Sequence, residues 1–86
     1  MVMVTVRYWA AAKHAAGVAE ESLSAGTLAE ALGQVRARHA GTPELAAVLA
    51  RSSFLIDGEQ AGHGPAGEVP LRDGAVIEVL PPFSGG

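Results

Sequence analysis

The chain has 86 residues, 49 % hydrophobic and 17 % charged, a balance that excludes a disordered segment and fits one small folded domain. Six scattered basic residues stand against nine acidic ones, for a net charge of −3, so no electrostatic footprint for nucleic acid is present. The absence of cysteine excludes disulfides, thiolate nucleophiles and cysteine metal sites together.

Val2, Val4, Val6 and Tyr8 alternate with Met3, Thr5, Arg7 and Trp9, a period-two, β-branched pattern that predicts a first strand with Val4, Val6 and Tyr8 toward the core. Ala10–Ala16 is alanine-rich and ends at Gly17, as a short helical turn closed by a glycine cap does. A second, weakly patterned strand is expected over Val18–Ser24. Thr27 and Glu30 have capping-box spacing, and Leu28, Ala31, Leu32, Val35 and His39 recur on one face. The main helix should therefore run from Thr27 to about Ala40, where Gly41 stops it. Pro43, following Thr42, starts a short connecting helix over Glu44–Ala50.

Phe54–Ile56 reads as a strand closed by an Asp57-Gly58 hairpin turn, and Ala61–Gly67 as a loop. Glu68–Leu71 is expected to be a brief strand, Asp73-Gly74 a turn and Ala75–Leu80 the final strand. The main helix then joins two parts of one sheet, whose flanking strands fit side by side and parallel through a right-handed crossover. This is an α+β layout of the β-grasp, or ubiquitin-like, kind: a mixed sheet of four to five strands packed on one main helix. Residues 1–80 form this single domain, and residues 81–86 leave it as an extended C-terminal tail.

Little else in the chain offers chemistry. His14, His39 and His63 lie far apart without metal-ligand spacing, so no metal site is expected, and His39 suits the dipole at the end of its helix. Glu20 and Glu21, adjacent on a strand, point to opposite faces and read as solvated rather than as an acid–base pair. The glycines from Gly58 to Gly74 lack the Lys-Ser/Thr pair and helix of a phosphate-binding loop. No catalytic centre and no bound cofactor are expected. No apolar run approaches the roughly 18 residues that span a bilayer, and Met1–Arg7 lacks the layout of a signal peptide, so the expectation is a cytoplasmic protein without a membrane partner.

The tail has its own physics. Pro81 and Pro82 lack N–H donors and fix φ, so the last strand stops pairing and the chain leaves stiff and extended. Six residues reach at most about 20 Å, enough to enter a pocket on another protein. Phe83 reads as a docking anchor, its burial being worth about 1.5–3 kcal/mol, and Ser84 as a hydrogen-bonding group. Gly85 and Gly86 can thread a narrow channel and present the terminal carboxylate. Strand alternation turns Trp9 and Leu80 outward at neighbouring strand ends, a candidate partner surface; the alternative is that Trp9 folds back over Ala10–Ala16.

Two stretches resemble the MoaD/ThiS sulfur carriers. Tyr8-Trp9-Ala10-Ala11-Ala12-Lys13 is similar to their aromatic-aromatic-Ala-x-x-Arg/Lys stretch, and Leu71-x-Asp73-Gly74-Ala75-x-x-x-x-Leu80-Pro81-Pro82-x-x-Gly85-Gly86 closely resembles their closing pattern. Length, paired prolines and intervening helices look more like MoaD, the small subunit of molybdopterin synthase, than the shorter ThiS. Ala75 stands where the family usually has Asp or Glu, Lys13 replaces the commoner Arg, and Ile56-Asp57-Gly58 replaces a Val-Asn-Gly turn; none of these touches the tail.

The resemblance implies a β-grasp carrier that is no enzyme by itself. An adenylating enzyme of the ubiquitin-activating type would spend ATP to adenylate Gly86, and a persulfide donor would leave a thiocarboxylate there. A molybdopterin synthase large subunit, paired with the carrier in a heterotetramer, would receive the tail and use the sulfur to build molybdopterin. Gly86 would react, Gly85 would give clearance, Pro81, Pro82, Phe83 and Ser84 would guide the tail, and Trp9 and Leu80 would help bind both partners. The residues leave open a carrier for thiazole, cysteine or thiolated tRNA, a ubiquitin-like modifier joined through Gly86 to lysine, and an interaction module with an inert terminus.

Overall fold

The computed structural model describes residues 2–60 and 69–82. The period-two pattern forms β1 (Met3–Tyr8), with Val4, Val6 and Tyr8 buried. It is followed by α1 (Ala10–Ala16), capped by Gly17, and by β2 (Glu20–Ser24). Next come α2 (Leu28–Arg38) and α3 (Pro43–Arg51), then β3 (Ser53–Ile56), β4 (Glu59–Gln60) and β5 (Val76–Leu80). The sheet order is β2-β1-β5-β3-β4, so the last strand lies in the middle. β1 and β5 run parallel with Tyr8 level with Val79, while β1–β2, β3–β5 and β3–β4 are antiparallel.

One face of the sheet is covered. Leu28, Ala31, Leu32 and Val35 of α2, Leu45 and Leu49 of α3 and Ala12 of α1 share one buried cluster with Val4, Val6, Tyr8, Leu23, Ile77 and Val79. The helical spacing of these residues decides which side each helix buries, and the strand alternation decides which face of the sheet they meet. The Thr27 hydroxyl accepts from the Glu30 amide at 3.2 Å, and the Glu30 carboxylate accepts from the Gly26 amide at 3.4 Å, one residue earlier than a symmetrical capping box.

Tight turns fasten the central strand. Asp57 (φ 52°) and Gly58 (φ 86°) both take the left-handed backbone that a two-residue type I′ hairpin demands, with Ile56 paired to Glu59 across it. The Asp57 carboxylate accepts from the Val76 amide at 3.0 Å and from Arg72 Nε at 3.2 Å, which ties the hairpin to the start of β5. The hydrogen bond from Val76, helped by the neighbouring Arg72 guanidinium, outweighs the desolvation of this carboxyl and holds it below its ordinary range. At the Asp73-Gly74 turn, Gly74 (φ 87°) donates to the Met3 carbonyl at 2.7 Å, and Asp73 accepts from the Met3 amide at 2.8 Å.

Several element bounds differ from the sequence expectation. β2 begins at Glu20 rather than Val18, and α2 ends at Arg38 with His39 as its cap rather than reaching Ala40. α3 has Pro43 at its first helical position, as expected, and extends through Arg51 rather than ending at Ala50. In place of a strand over Glu68–Leu71, the described part of that segment has one isolated bridge, Pro70 to Thr27; Glu68 and the Ala61–Gly67 loop lie outside the described residues. Leu71 is buried, and its amide donates to the Gly26 carbonyl at 2.9 Å, so this segment is held by the entry to α2 rather than by a strand.

Gly33 lies in the exposed interior of α2, where an added methyl group would meet nothing within 4 Å. Gly33→Ala should raise stability by about 0.5–1 kcal/mol, because it removes backbone freedom from the unfolded chain and improves helix propensity. In a domain of this size that is a rise in melting temperature of roughly 2–8 °C. A thermal melt showing a lower transition would contradict the open environment of this position.

Candidate docking surface and tail root

β5 carries the tail out of the sheet's centre. Its last ladder pair is Leu80 with Ser53, after which Pro81, lacking an N–H, ends the pairing. Pro81 is buried and Pro82 exposed, so the first proline anchors the root and the second begins the departing chain. Phe83, Ser84, Gly85 and Gly86, predicted from sequence to guide and react, lie outside the described residues.

Trp9 stands beside this root. Because Tyr8 is level with Val79 in the parallel pair, the next step brings Trp9 level with Leu80, on the face opposite the core. Trp9 is 47 % exposed and lies outside the buried cluster, so it is not buried as a satellite core over α1, although it shares a groove with Lys13 of that helix. Leu80 is only half-buried rather than fully outward, flanked by β1 on one side and β3 on the other. Val18 is 42 % exposed and reaches the same end of the sheet, one residue before Ala19, whose carbonyl accepts from the Tyr8 amide at 2.8 Å. One row below, Arg7 is level with Glu20 and Glu78 and pairs with Glu20 at 3.5 Å. An apolar group bounded by charges is the anatomy of a partner-binding patch.

A sharp bend places Trp9. It is extended (φ −121°, ψ 151°), while Ala10, the first residue of α1, takes φ 49° in the left-handed region that costs a residue with a side chain about 1–2 kcal/mol. The Trp9 carbonyl then accepts from the Ala12 and Lys13 amides at 3.0 and 3.3 Å, which starts the helix at once. Ala10→Gly should leave stability unchanged or raise it by up to about 1 kcal/mol, whereas Ala10→Val should lower it by about 1–2 kcal/mol. Urea denaturation of the two variants checks the bend, and equal stabilities would contradict it.

The sequence reading missed one polar cluster. Glu21 is level with Val6, on the core side of the edge strand, and is not the solvated strand residue expected. Its carboxylate accepts from the Tyr8 hydroxyl at 2.5 Å and lies 2.8 Å from His39 Nε2, whose proton is assigned to that nitrogen by the acceptor it faces. The Tyr8 and His39 rings meet edge to face with centroids 6.2 Å apart. Burial would push the Glu21 carboxyl up, but hydrogen bonds from Tyr8 and His39 and the charges of His39 and Arg38 outweigh it and hold it low. Burial, and then the bond to Glu21 and its negative charge, push the Tyr8 phenol far above its ordinary value. His39 thus serves structure, as expected, through Glu21 as well as its place at the helix end.

These groups have little access to solvent, with side chains 14 % exposed for His39 and 17 % for Glu21, and they clamp β1, β2 and α2 together. The signal in the sequence was Tyr8 itself: a core-facing tyrosine needs a partner for its hydroxyl. Among the described residues, no three His, Asp or Glu side chains gather as a metal-ligand set, and no helix is long and apolar enough to cross a membrane.

A model described as the ThiS family matches residues 6–86. The small archaeal modifier protein 1 of Methanosarcina acetivorans is 28 % identical with a TM-score of 0.82, covering 100 % of this chain and 98 % of that one. A chain in the complex of subunits 1 and 2 of the molybdopterin-converting factor from Helicobacter pylori is 27 % identical with a TM-score of 0.68, covering 99 % and 100 %. The small archaeal modifier protein 1 of Haloferax volcanii, 22 % identical with a TM-score of 0.77 over 98 % and 99 %, speaks for the fold. The architecture is the β-grasp expected from the sequence. No protein of curated function matches the sequence.

Proposed function

Because the chain belongs to the ThiS family of ubiquitin-fold sulfur carriers, we propose that it carries sulfur on a C-terminal Gly86 thiocarboxylate for the synthesis of molybdopterin. The observation that carries this reading is the family match running through residue 86, over Pro81-Pro82-Phe83-Ser84-Gly85-Gly86. The similarity to a chain seen complexed with its second subunit in Helicobacter pylori supports a large-subunit partner. Proteins of this kind are non-catalytic carriers, so the chemistry is the partners' and the delivery is the chain's.

A carboxylate oxygen is a poor leaving group. An adenylating enzyme of the ubiquitin-activating type spends ATP to join the Gly86 carboxylate to AMP, releasing pyrophosphate. The outer sulfur of a persulfide donor then attacks the Gly86 carbonyl and displaces AMP to give an acyl disulfide, whose S–S bond a thiol reductant cleaves to leave the thiocarboxylate. Trp9 and Leu80, at the root of the tail, dock the domain, while Pro81 and Pro82 send the tail outward in a stiff form. Phe83 and Ser84 seat it, and the two glycines let it enter a narrow site. Docking turns a chance encounter into an oriented, effectively intramolecular attack on the pterin precursor.

The test is sulfur delivery. Thiocarboxylated chain mixed with a molybdopterin synthase large subunit and the pterin precursor should yield molybdopterin and return Gly86 to a carboxylate. No product with a competent large subunit, alongside turnover with a thiazole-forming, cysteine-forming or tRNA-thiolating acceptor, would assign the carrier elsewhere. The likeness to a small archaeal modifier protein favours one second reading, in which Gly86 forms isopeptide bonds with lysines of other proteins. Higher-mass conjugates recovered from cells would support it.

A further inference from the structure

The chain contains a single lysine, Lys13; its remaining basic residues are arginines, and it has no cysteine. A guanidinium stays protonated and offers no lone pair, so Lys13 is the only side-chain amine able to attack an activated carbonyl. Its placement suits that role. Lys13 is exposed in the last turn of α1, and among the described residues its ammonium makes no hydrogen bond or ion pair. Three arginines, by contrast, are engaged: Arg7 with Glu20, Arg72 with Asp57 and Arg38 with the Ser22 carbonyl. Lys13 lines two adjoining grooves, one among the short residues Ala10, Gly17, Val18 and Ala19 and one beside Trp9 and Arg7, and it is exposed where an approaching chain end can reach it.

Resting on the reading that Gly86 is activated as an acyl adenylate, we propose that Lys13 is an acceptor site through which one copy of this chain becomes joined to Gly86 of a second copy. The Lys13 Nζ lone pair attacks the Gly86 carbonyl carbon, a C–N bond forms, the C–O bond to AMP breaks, and the proton released from nitrogen goes to solvent. No oxidant or reductant takes part. Joining and sulfur transfer consume the same activated terminus, so amine and persulfide compete for it.

The test uses the full chain with ATP and an adenylating enzyme of the ubiquitin-activating type and, in parallel, chain whose Gly86 carboxyl is supplied as a thioester. The first should give a species one water short of twice the chain's mass, and the second should give the same species once its remaining terminal thioester is hydrolysed. Trypsin cuts after Arg72, so the map of that species should show Asp73–Gly86 as a branch on Lys13. Lys13→Arg keeps the charge and should lose this species entirely while still acquiring a thiocarboxylate. A doubled mass that persists in Lys13→Arg, a branch on a different amine, or a single chain one water light through closure on its own Lys13 would overturn the proposal. Thiocarboxylate formation without any branch would also overturn it and leave the carrier reading standing. Branching from the thioester with no adenylation by any activating enzyme would support Lys13 as the acceptor and count against the carrier reading instead.

Discussion

Under the proposed function, Trp9→Ala should weaken binding of the chain to a sulfur-accepting large subunit and to an activating enzyme by about 30-fold or more, the loss of roughly 2 kcal/mol that a buried aromatic anchor contributes to an interface. Trp9 is 47 % exposed in the isolated chain and lies beside the strand that carries the tail. Covering it on docking removes a large apolar surface from water next to the reacting terminus. Its truncation should change unfolding free energy by less than about 1 kcal/mol, since the core cluster does not include it. Leu80→Ala is a less clean probe, because Leu80 is half-buried between β1 and β3 and its loss disturbs the sheet too. Titration calorimetry beside thermal melts separates binding from folding. Unchanged affinity for every partner would move the docking surface off this end of the sheet.

Stability should fall steeply as pH rises above about 10, through one residue. Tyr8 has an ordinary value of 10.0 and is held far above it in the folded chain by burial and by Glu21. Below pH 10 the phenol is protonated in both states, so its contribution is fully present. Above pH 10 the unfolded chain loses the proton and the folded chain keeps it, so unfolding gains and stability is lost. Tyr8 is the only tyrosine, so phenolate absorbance reports it alone. Absorbance and far-UV circular dichroism should change together in one alkaline transition. A phenolate forming near pH 10 in chain that is still folded would contradict the buried hydrogen bond.

Glu21, the acceptor in that cluster, acts at the opposite end of the scale. Glu21 is held below its ordinary value, so its contribution is present above the ordinary carboxylate range and is lost as pH falls through the folded value. Glu21→Ala should cost about 1–3 kcal/mol at neutral pH, because the Tyr8 hydroxyl and His39 are left without their acceptor.

Much of the fold was legible because local chemistry and global position agree. The alternation of Val4, Val6 and Tyr8, the Thr27 cap, and the Asp57-Gly58 and Asp73-Gly74 turns each mark an element without reference to the rest of the chain. What was not legible depends on distant partners. Glu21 looks solvated within β2, and only the pairing that sets it level with Val6 carries it to Tyr8 and His39. Val69 to Leu71 resembles a strand, yet the entry to α2 takes its hydrogen bonds: the Val69 carbonyl accepts from the Leu28 amide and the Leu71 amide donates to the Gly26 carbonyl. β4 is two residues long, too short to show any period, and exists because the type I′ turn folds it back on β3.

The positions of Trp9 and Leu80 at the tail's root were legible in part. Alternation alone turned Trp9 and Leu80 to the outer face, and the parallel register of β1 with β5 brings them level. Alternation does not report how far neighbouring strands cover a side chain, which is why Leu80 is half-buried. The bend at Ala10 was also hidden, since alanine carries no sequence signal for a left-handed backbone.

The most direct measurement is the intact mass of the chain after incubation with ATP, an adenylating enzyme, a persulfide donor and a thiol reductant. A sulfur carrier should gain the mass difference of one sulfur replacing one oxygen, lose it on hydrolysis, and fail to acquire it when Gly86 is deleted. No gain with any competent activating enzyme, or a gain that survives deletion of Gly86, would contradict delivery from the C-terminal glycine.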